Sequence, residues 1–397
     1  MATPTAASLD VQAPVVKPRI SVLHLIHTIA YGGVETAVLN WLQHIDRSRF
    51  EVHLACFANP GETEAPFVEA ATRRGFEVHK LSWGRRKPLW RASSELMTLM
   101  ARYHVDVLHT HNCYADCVGA LAARRRPVKT VTTLYVWSPL GWKRNLIQQV
   151  NRYAIRSFDL ITAHCDDTYR KTLALGFPPE KVKTLICGFQ AQSVQLSRGE
   201  RERRREKLGA SPEDVVLINV ARLYPEKEQA FLLRAFRRLL QNCPQARLWI
   251  AGVGPLENDL RNLAAQLGLD PFVRFLGFVN DLPSLLALPD IQVNTSSTEG
   301  VPLAICSGMA ARLPIVATAV GGLREVIKSG ESGILVPPQD EQALLEALTT
   351  LIQSPEYRQQ LGMRALQFVN HDYSLSRAVR AVEQTYQEVL GSCVLES

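Results

Sequence analysis

Short runs rich in β-branched and aromatic residues alternate with amphipathic stretches along this chain, and the alternation restarts once. The first set of runs predicts strands over 20–27, 50–57, 76–81, 105–110, 128–133, 160–163 and 182–186. Helical patterns fall between them at 34–45, 64–74 and 91–103. After the charged run 198–207, linker-like but also able to extend a helix, strands are expected again over 215–220, 247–251, 273–275, 291–295, 315–317 and 333–336. Strands separated by helices demand parallel βαβ units with both sheet faces covered. The fold class is therefore α/β, with two Rossmann-like domains over 19–195 and 196–375. A last helical pattern, 376–390, lies within the closing segment 376–397. Two such domains facing each other place a ligand in the cleft beyond their strand C-termini.

A chain of 397 residues is long enough for two domains. With 46% hydrophobic and 21% charged residues it has the composition of a globular protein. No apolar run reaches the roughly 18 residues of a membrane span. Residues 1–18 lack a basic start and an apolar core, so they read as a disordered tail and not as a signal peptide. Eight scattered cysteines form no disulfide framework, which points to the reducing cytoplasm. Charge is uneven. Up to Gln190 the chain carries 24 Lys+Arg against 15 Asp+Glu; beyond it, 21 against 23. A basic first half suits an anionic partner such as a membrane surface, with a plain solvated basic face as the alternative. Nucleic acid is not expected, because no zinc-finger, RRM or helix-turn-helix signature is present.

The stretch TSSTEGVPLAICSGMAARLPIVATAVGG, residues 295–322, carries the most chemical information. It reads as a strand end, a Glu299-Gly300 turn and a helix opening at Pro302, then a second strand and a Gly321-Gly322 turn into another helix. Helix N-termini beside glycine turns offer free N–H groups and positive dipole ends, which hold phosphates and hydroxyls. Glu299 supplies an acceptor for sugar hydroxyls. Upstream, Ala30-Tyr31-Gly32-Gly33-Val34-Glu35 follows the first strand and opens the first helix, and paired glycines let backbone approach a ligand closely. In Arg222-Leu223-Tyr224-Pro225-Glu226-Lys227 two cations flank one loop and would neutralise a diphosphate if they converge. His109-Thr110-His111-Asn112-Cys113 followed by Cys117 fits no zinc spacing, so no metal is expected. His111, at a strand end, is an acceptor-side candidate. No Asp-x-Asp pair occurs in the chain.

Taken together, these motifs resemble the retaining GT-B glycosyltransferases of family 4, over nearly the whole chain after Arg19. The resemblance implies transfer of a sugar from a nucleotide diphosphate sugar to an acceptor hydroxyl of a glycan, glycolipid or polyprenyl-linked saccharide, with retention. Helix dipoles and basic residues would replace a divalent cation, and no cofactor is implied. The first domain would be the acceptor side, the second would bind the nucleotide sugar, and the closing helix would return to the first. Arg222 and Lys227 would stabilise the leaving diphosphate. Glu299 and the N–H groups of Gly300, Val301 and Leu303 would hold the sugar, and Gly32 and Gly33 would close over the phosphates. Gly254, Phe278 and Val279 would shape the base pocket. A pathway of polysaccharide biosynthesis on the inner face of the plasma membrane is also implied.

Two positions depart from the family pattern. Ser307 stands where the family's second Glu holds the ribose, and Tyr135 stands where relatives carry a His beside the reacting sugar. These departures support a rival of another class: a non-catalytic nucleotide-sugar-binding or scaffold protein on the same fold. The intact Glu299, Arg222, Lys227 and glycine turns favour the enzyme. Acceptor choice would lie in loops such as 83–90 and 137–145.

Overall fold

The computed structural model describes residues 19–28, 31–135 and 141–391, with the side chains of 141–145 excluded. The expected tail 1–18, position 30 beside the first glycine pair, residues 137–140 of one expected specificity loop, and 392–397 lie outside the described residues. Among the described residues, thirteen parallel strands build two sheets. The first domain contains β1 (Ile20–Ile26), β2 (Phe50–Ala58), β3 (Val78–Ser82), β4 (Val107–His111), β5 (Lys129–Leu134), β6 (Leu160–Ala163) and β7 (Val182–Thr184). The second contains β8 (Val215–Val220), β9 (Ala246–Ala251), β10 (Val273–Gly277), β11 (Ile291–Asn294), β12 (Ile315–Thr318) and β13 (Ile334–Val336). Their orders are β3-β2-β1-β4-β5-β6-β7 and β10-β9-β8-β11-β12-β13. Strand order reverses between β1 and β4 in one sheet and between β8 and β11 in the other. A crevice opens at the carboxyl ends of each of those pairs.

The central strands are apolar on both faces because helices cover both faces. In β1 every residue after Ile20 is buried. On one side Trp41 and Leu42 of the helix Gly33–His44 pack against it, and in the second domain Leu232, Leu233 and Phe236 of Gln229–Leu239 do the equivalent. Two strands begin two residues later than expected, for one shared reason. Phe76 and Val105 each follow a helix end and donate back to it, to the carbonyls of Ala71 and Met100. The residues before them, Gly75 and His104, take positive φ. This is the Schellman closure, which draws an apolar residue onto the helix before the strand can start.

The charged run is no free linker. Arg198–Lys207 is a helix capped by the Ser197 side chain on the Glu200 amide. Arg201 and the buried Arg205 bind both carboxylate oxygens of Asp290, docking the run onto the second domain. The chain leaves the first domain past Gly188 and comes back beside the same point. Phe189 and Tyr373 share a hydrogen bond of 2.7 Å, and Leu375 donates to the Phe189 carbonyl. Gly188 has φ +71, and a Cβ there would stand 2.3 Å from that of Ala378. The closing helix, Leu375–Val389, packs its Val379, Val382 and Tyr386 into the first core.

Candidate active site

The end of β11 runs into a polar loop, and the helix Leu303–Ala310 follows with Pro302 as its N-cap, so it begins one residue later than expected. Glu299 in this loop is the centre of a charged cluster. Its Oε1 lies 2.6 Å from Lys227 Nζ, 2.8 Å from Ser296 Oγ and 3.3 Å from Asn294 Nδ2. Both partners of the ion pair are largely sequestered, with side chains 13% and 8% exposed. Lys227 comes from the turn Pro225–Lys227 after β8, so the pair spans the switch point of the second sheet. Arg222, at the same strand end, is 62% exposed. It sits 3.8 Å from Glu226 and over the Tyr224 ring. The two expected cations are therefore held by different carboxylates.

The glycines around this cluster allow backbone to meet backbone. A Cβ on Gly321 would stand 1.8 Å from the Glu299 carbonyl oxygen, and φ is +48 there. Gly254 lies against the Leu223 backbone in the same way, so its need for no side chain is met within the second domain. Phe278 is exposed and Val279 half-buried at the end of β10. Ser307 is half-buried, and its hydroxyl donates to the Leu303 carbonyl in its own helix. That back-bond is the usual resting place of a helical serine.

Across the cleft, the Gly32 amide donates to Glu35 Oε2 at 3.0 Å. Gly33 faces Leu303, whose side chain would be 3.9 Å from a Cβ on the glycine. The two glycine-flanked helix starts therefore do approach each other. Burial pushes the Glu35 carboxyl up, against the pull of its hydrogen bonds and of the Arg222 guanidinium opposite.

Two contacts that tie the domains together were not foreseen. His164, after β6, accepts the Val301 N–H at Nε2, 2.8 Å away, while its Nδ1 lies 3.3 Å from the Leu134 carbonyl. The Val301 amide, expected to be open to a sugar, is thus engaged. Gly300 has no room for a side chain beside it, since a Cβ would stand 2.3 Å from His164 Nε2. One turn on, Glu325 Oε1 accepts the N–H groups of Asp166 and Asp167, the first residues of the helix Asp166–Ala174. In the sequence both groups read as ordinary polar residues at an element end.

His111 also needs correction. It is fully buried and stacked on His24. Its Nδ1 meets the Tyr135 hydroxyl at 3.0 Å and its Nε2 meets His24 Nδ1 at 3.0 Å. The half-buried Tyr135 lines a small cavity with Asn112, Asp116 and Thr133, and its hydroxyl bonds the fully buried His111. Ligand nitrogens of His24, His109 and His111 lie within 4.8 Å of one another. The sequence reading included two of these three and omitted His24, because the cluster joins β1 to β4.

Residues 200–368 match the family described as Glycosyl transferases group 1, and residues 31–192 match Glycosyltransferase Family 4. The chain is 25% identical to the UDP-Gal:alpha-D-GlcNAc-diphosphoundecaprenol alpha-1,3-galactosyltransferase of Escherichia coli, over 83% of this chain and 87% of that one. It is 26% identical to the N-acetyl-alpha-D-glucosaminyl L-malate synthase of Bacillus anthracis, over 75% and 78%. Its fold matches that of Anabaena Alr3699/HepE, solved in complex with UDP-glucose, with a TM-score of 0.82, 22% identity and coverage of 93% and 100%. From its two matching halves, its paired parallel sheets and these relatives, the chain belongs to the GT-B glycosyltransferases of family 4 type.

Proposed function

We propose that this glycosyltransferase moves a sugar from a nucleotide diphosphate sugar to an acceptor hydroxyl with retention of configuration, without a metal ion. The observation that carries this reading is the Lys227–Glu299 pair at the β8/β11 switch point, with Arg222 at its edge. A cation within a largely dry pocket stabilises a diphosphate as charge develops on it, and Glu299 is placed to take sugar hydroxyls. In this reading the first domain, 19–195, holds the acceptor and the second, 196–375, the donor. Gly32, Gly33, Gly300 and Leu303 frame the phosphates and sugar, Gly254, Phe278 and Val279 the base, and Ser307 the ribose. Relatives support the donor class: the Escherichia coli enzyme is named for UDP-Gal, and the Anabaena structure holds UDP-glucose.

A lipid-linked acceptor at an anionic membrane surface belongs to the same proposal. The helix Gly141–Ile155 leaves Leu146, Val150 and Tyr153 exposed by 61%, 52% and 66%, on one face at helical spacing. No helix among the described residues is long and apolar enough to cross a membrane. An apolar stripe on a basic domain suits peripheral contact from the cytoplasmic side. The test is incubation with a panel of nucleotide sugars and undecaprenyl-diphosphate saccharides, followed by proton NMR of the product. Retention predicts an anomeric coupling of the same type as in the donor; the opposite anomer, or no transfer from any donor, would reject the reading.

A further inference from the structure

Behind Tyr135 a line of buried polar groups crosses the first domain, and one order of its hydrogen bonds satisfies every contact at once, the bond from Thr162 to the Thr132 carbonyl included. The Thr162 hydroxyl donates to the Thr132 carbonyl at 3.0 Å. With its only proton on that carbonyl, the Thr133 hydroxyl is the donor in their 2.8 Å contact, and the reverse order would give up the carbonyl bond. Thr133 must then accept from His109 Nε2, 2.7 Å away. A neutral imidazole has one N–H, so His109 Nδ1 is an acceptor and takes the Tyr386 proton at 2.9 Å. Tyr386 must accept from His24 Nε2 at 2.8 Å. His24 Nδ1 then accepts from His111 Nε2, and His111 Nδ1 accepts from the Tyr135 hydroxyl. All six ring nitrogens are used, and each link has one proton. Burial holds the three rings neutral, His24 down at about 3 and the other two well below their ordinary value.

We propose that this chain, anchored at Thr133 and passed through Tyr386 of the closing helix, fixes Tyr135 as a hydrogen-bond acceptor toward the cleft. The phenol's one proton points inward, so any group that meets its oxygen from the cleft must be a donor. Tyr135 therefore selects a hydroxyl-bearing ligand and disfavours a phosphate or carbonyl oxygen at that spot. This assignment rests on the reading of the cleft as the transfer site, with Tyr135 touching the ligand and Thr133, His109, Tyr386, His24 and His111 as positioning residues.

The chain can be tested without substrate, by long-range proton–nitrogen correlation of histidine-labelled full-length protein near neutral pH, with resonances assigned through single histidine variants. His24, His109 and His111 are all expected to be protonated at Nε2. Thr133→Val removes the anchor and would strand the His109 Nε2–H in an apolar wall. A buried unpaired N–H is less tolerable than an unpaired lone pair. All three histidines should therefore switch together to the Nδ1–H form, turning Tyr135 into a donor. Tyr386→Phe should cut the chain: His109 keeps its Nε2–H on Thr133, while His24 and His111 become mixtures. Any of the three protonated at Nδ1 in the wild type, or a switch confined to His109 in Thr133→Val, would overturn the proposal. If Thr133→Val does not fold, the wild-type and Tyr386→Phe spectra decide it. Transfer assays then address the ligand. Tyr135→Phe should lower activity about tenfold, as for one lost hydrogen bond, and Thr133→Val should match it. Loss in Tyr135→Phe alone would overturn the coupling. Inactivity of the wild type would count against the transfer reading and leave the tautomer result standing.

Discussion

The two domains share a topology and place opposite chemistry at the same point in it. At the β1/β4 switch point the first domain holds buried neutral histidines whose nitrogens are all satisfied internally. At the β8/β11 switch point the second domain holds an ion pair and an exposed arginine. A parallel sheet with reversed strand order fixes where a ligand sits, and the residues at the strand ends decide what charge it can carry. The neutral centre suits an uncharged hydroxyl acceptor, and the charged centre suits a diphosphate.

The largest effect should come from the charged centre. Lys227→Ala is expected to lower transfer by about 10²–10³-fold, the scale for losing one preorganised stabiliser of developing charge. Arg222→Ala should cost less turnover and leave the melting temperature unchanged, because an exposed ion pair at 3.8 Å contributes little. Steady-state kinetics with circular dichroism would separate the two. Wild-type rates in both would erase the contrast between the domains.

Next in size is the seam. Gly300→Ala places a Cβ against His164 and should destabilise the closed arrangement by about 1–3 kcal/mol. His164→Ala in the same chain should recover part of that loss. Thermal melts of the single and double variants check it, and additive losses would show that His164 is not the obstacle.

Acid should then distinguish the domains. His24, His27, His109, His111 and His164 all have folded values below the ordinary 6.5, with His27 and His164 at about 4, chiefly through burial. Groups shifted down stabilise fully above 6.5 and lose that contribution as pH falls toward their folded values. Asp116, pushed up by burial to about 6, and Glu35 act in the opposite sense and offset part of the loss. All five histidines lie in the first domain. Between pH 7.5 and 5.5, hydrogen exchange of β1 and β4 amides should report a fall in opening free energy of about 1–3 kcal/mol. The β8 and β11 amides should change less. Equal change in both sheets would remove the asymmetry.

The smallest expected effect concerns the membrane face. Tyr153→Ser combined with Val150→Ser should weaken co-sedimentation with anionic vesicles by a few-fold at low salt, and added salt should weaken binding of both forms. Salt-independent binding would remove the electrostatic part of that contact.

What the sequence disclosed and what it concealed divide along the same line. Strand–helix alternation and glycine turns are local signals, so both sheets and the glycine-flanked helix starts were readable, whereas the approach of Gly33 to Leu303 needed the two domains side by side. Lys227 and Glu299 were each singled out, yet their direct pairing needed β8 and β11 side by side. The histidine chain was invisible for a stronger reason: its links join residues 24, 109, 111, 133, 135 and 386, and no window of sequence contains them. His164 and Glu325 were missed because a polar residue at a strand or helix end is ordinary until the opposite domain is in place.

The central claim is that the second domain's charged centre exists to hold a diphosphate. Calorimetric titration of the full chain with UDP, GDP, ADP and CDP, repeated on Lys227→Ala, tests it most directly. The account predicts that at least one nucleoside diphosphate binds the wild type and that Lys227→Ala weakens this binding by roughly tenfold or more, the scale of a hydrogen bond to a charged group. Binding of none of the four, or equal affinity in the variant, would contradict it.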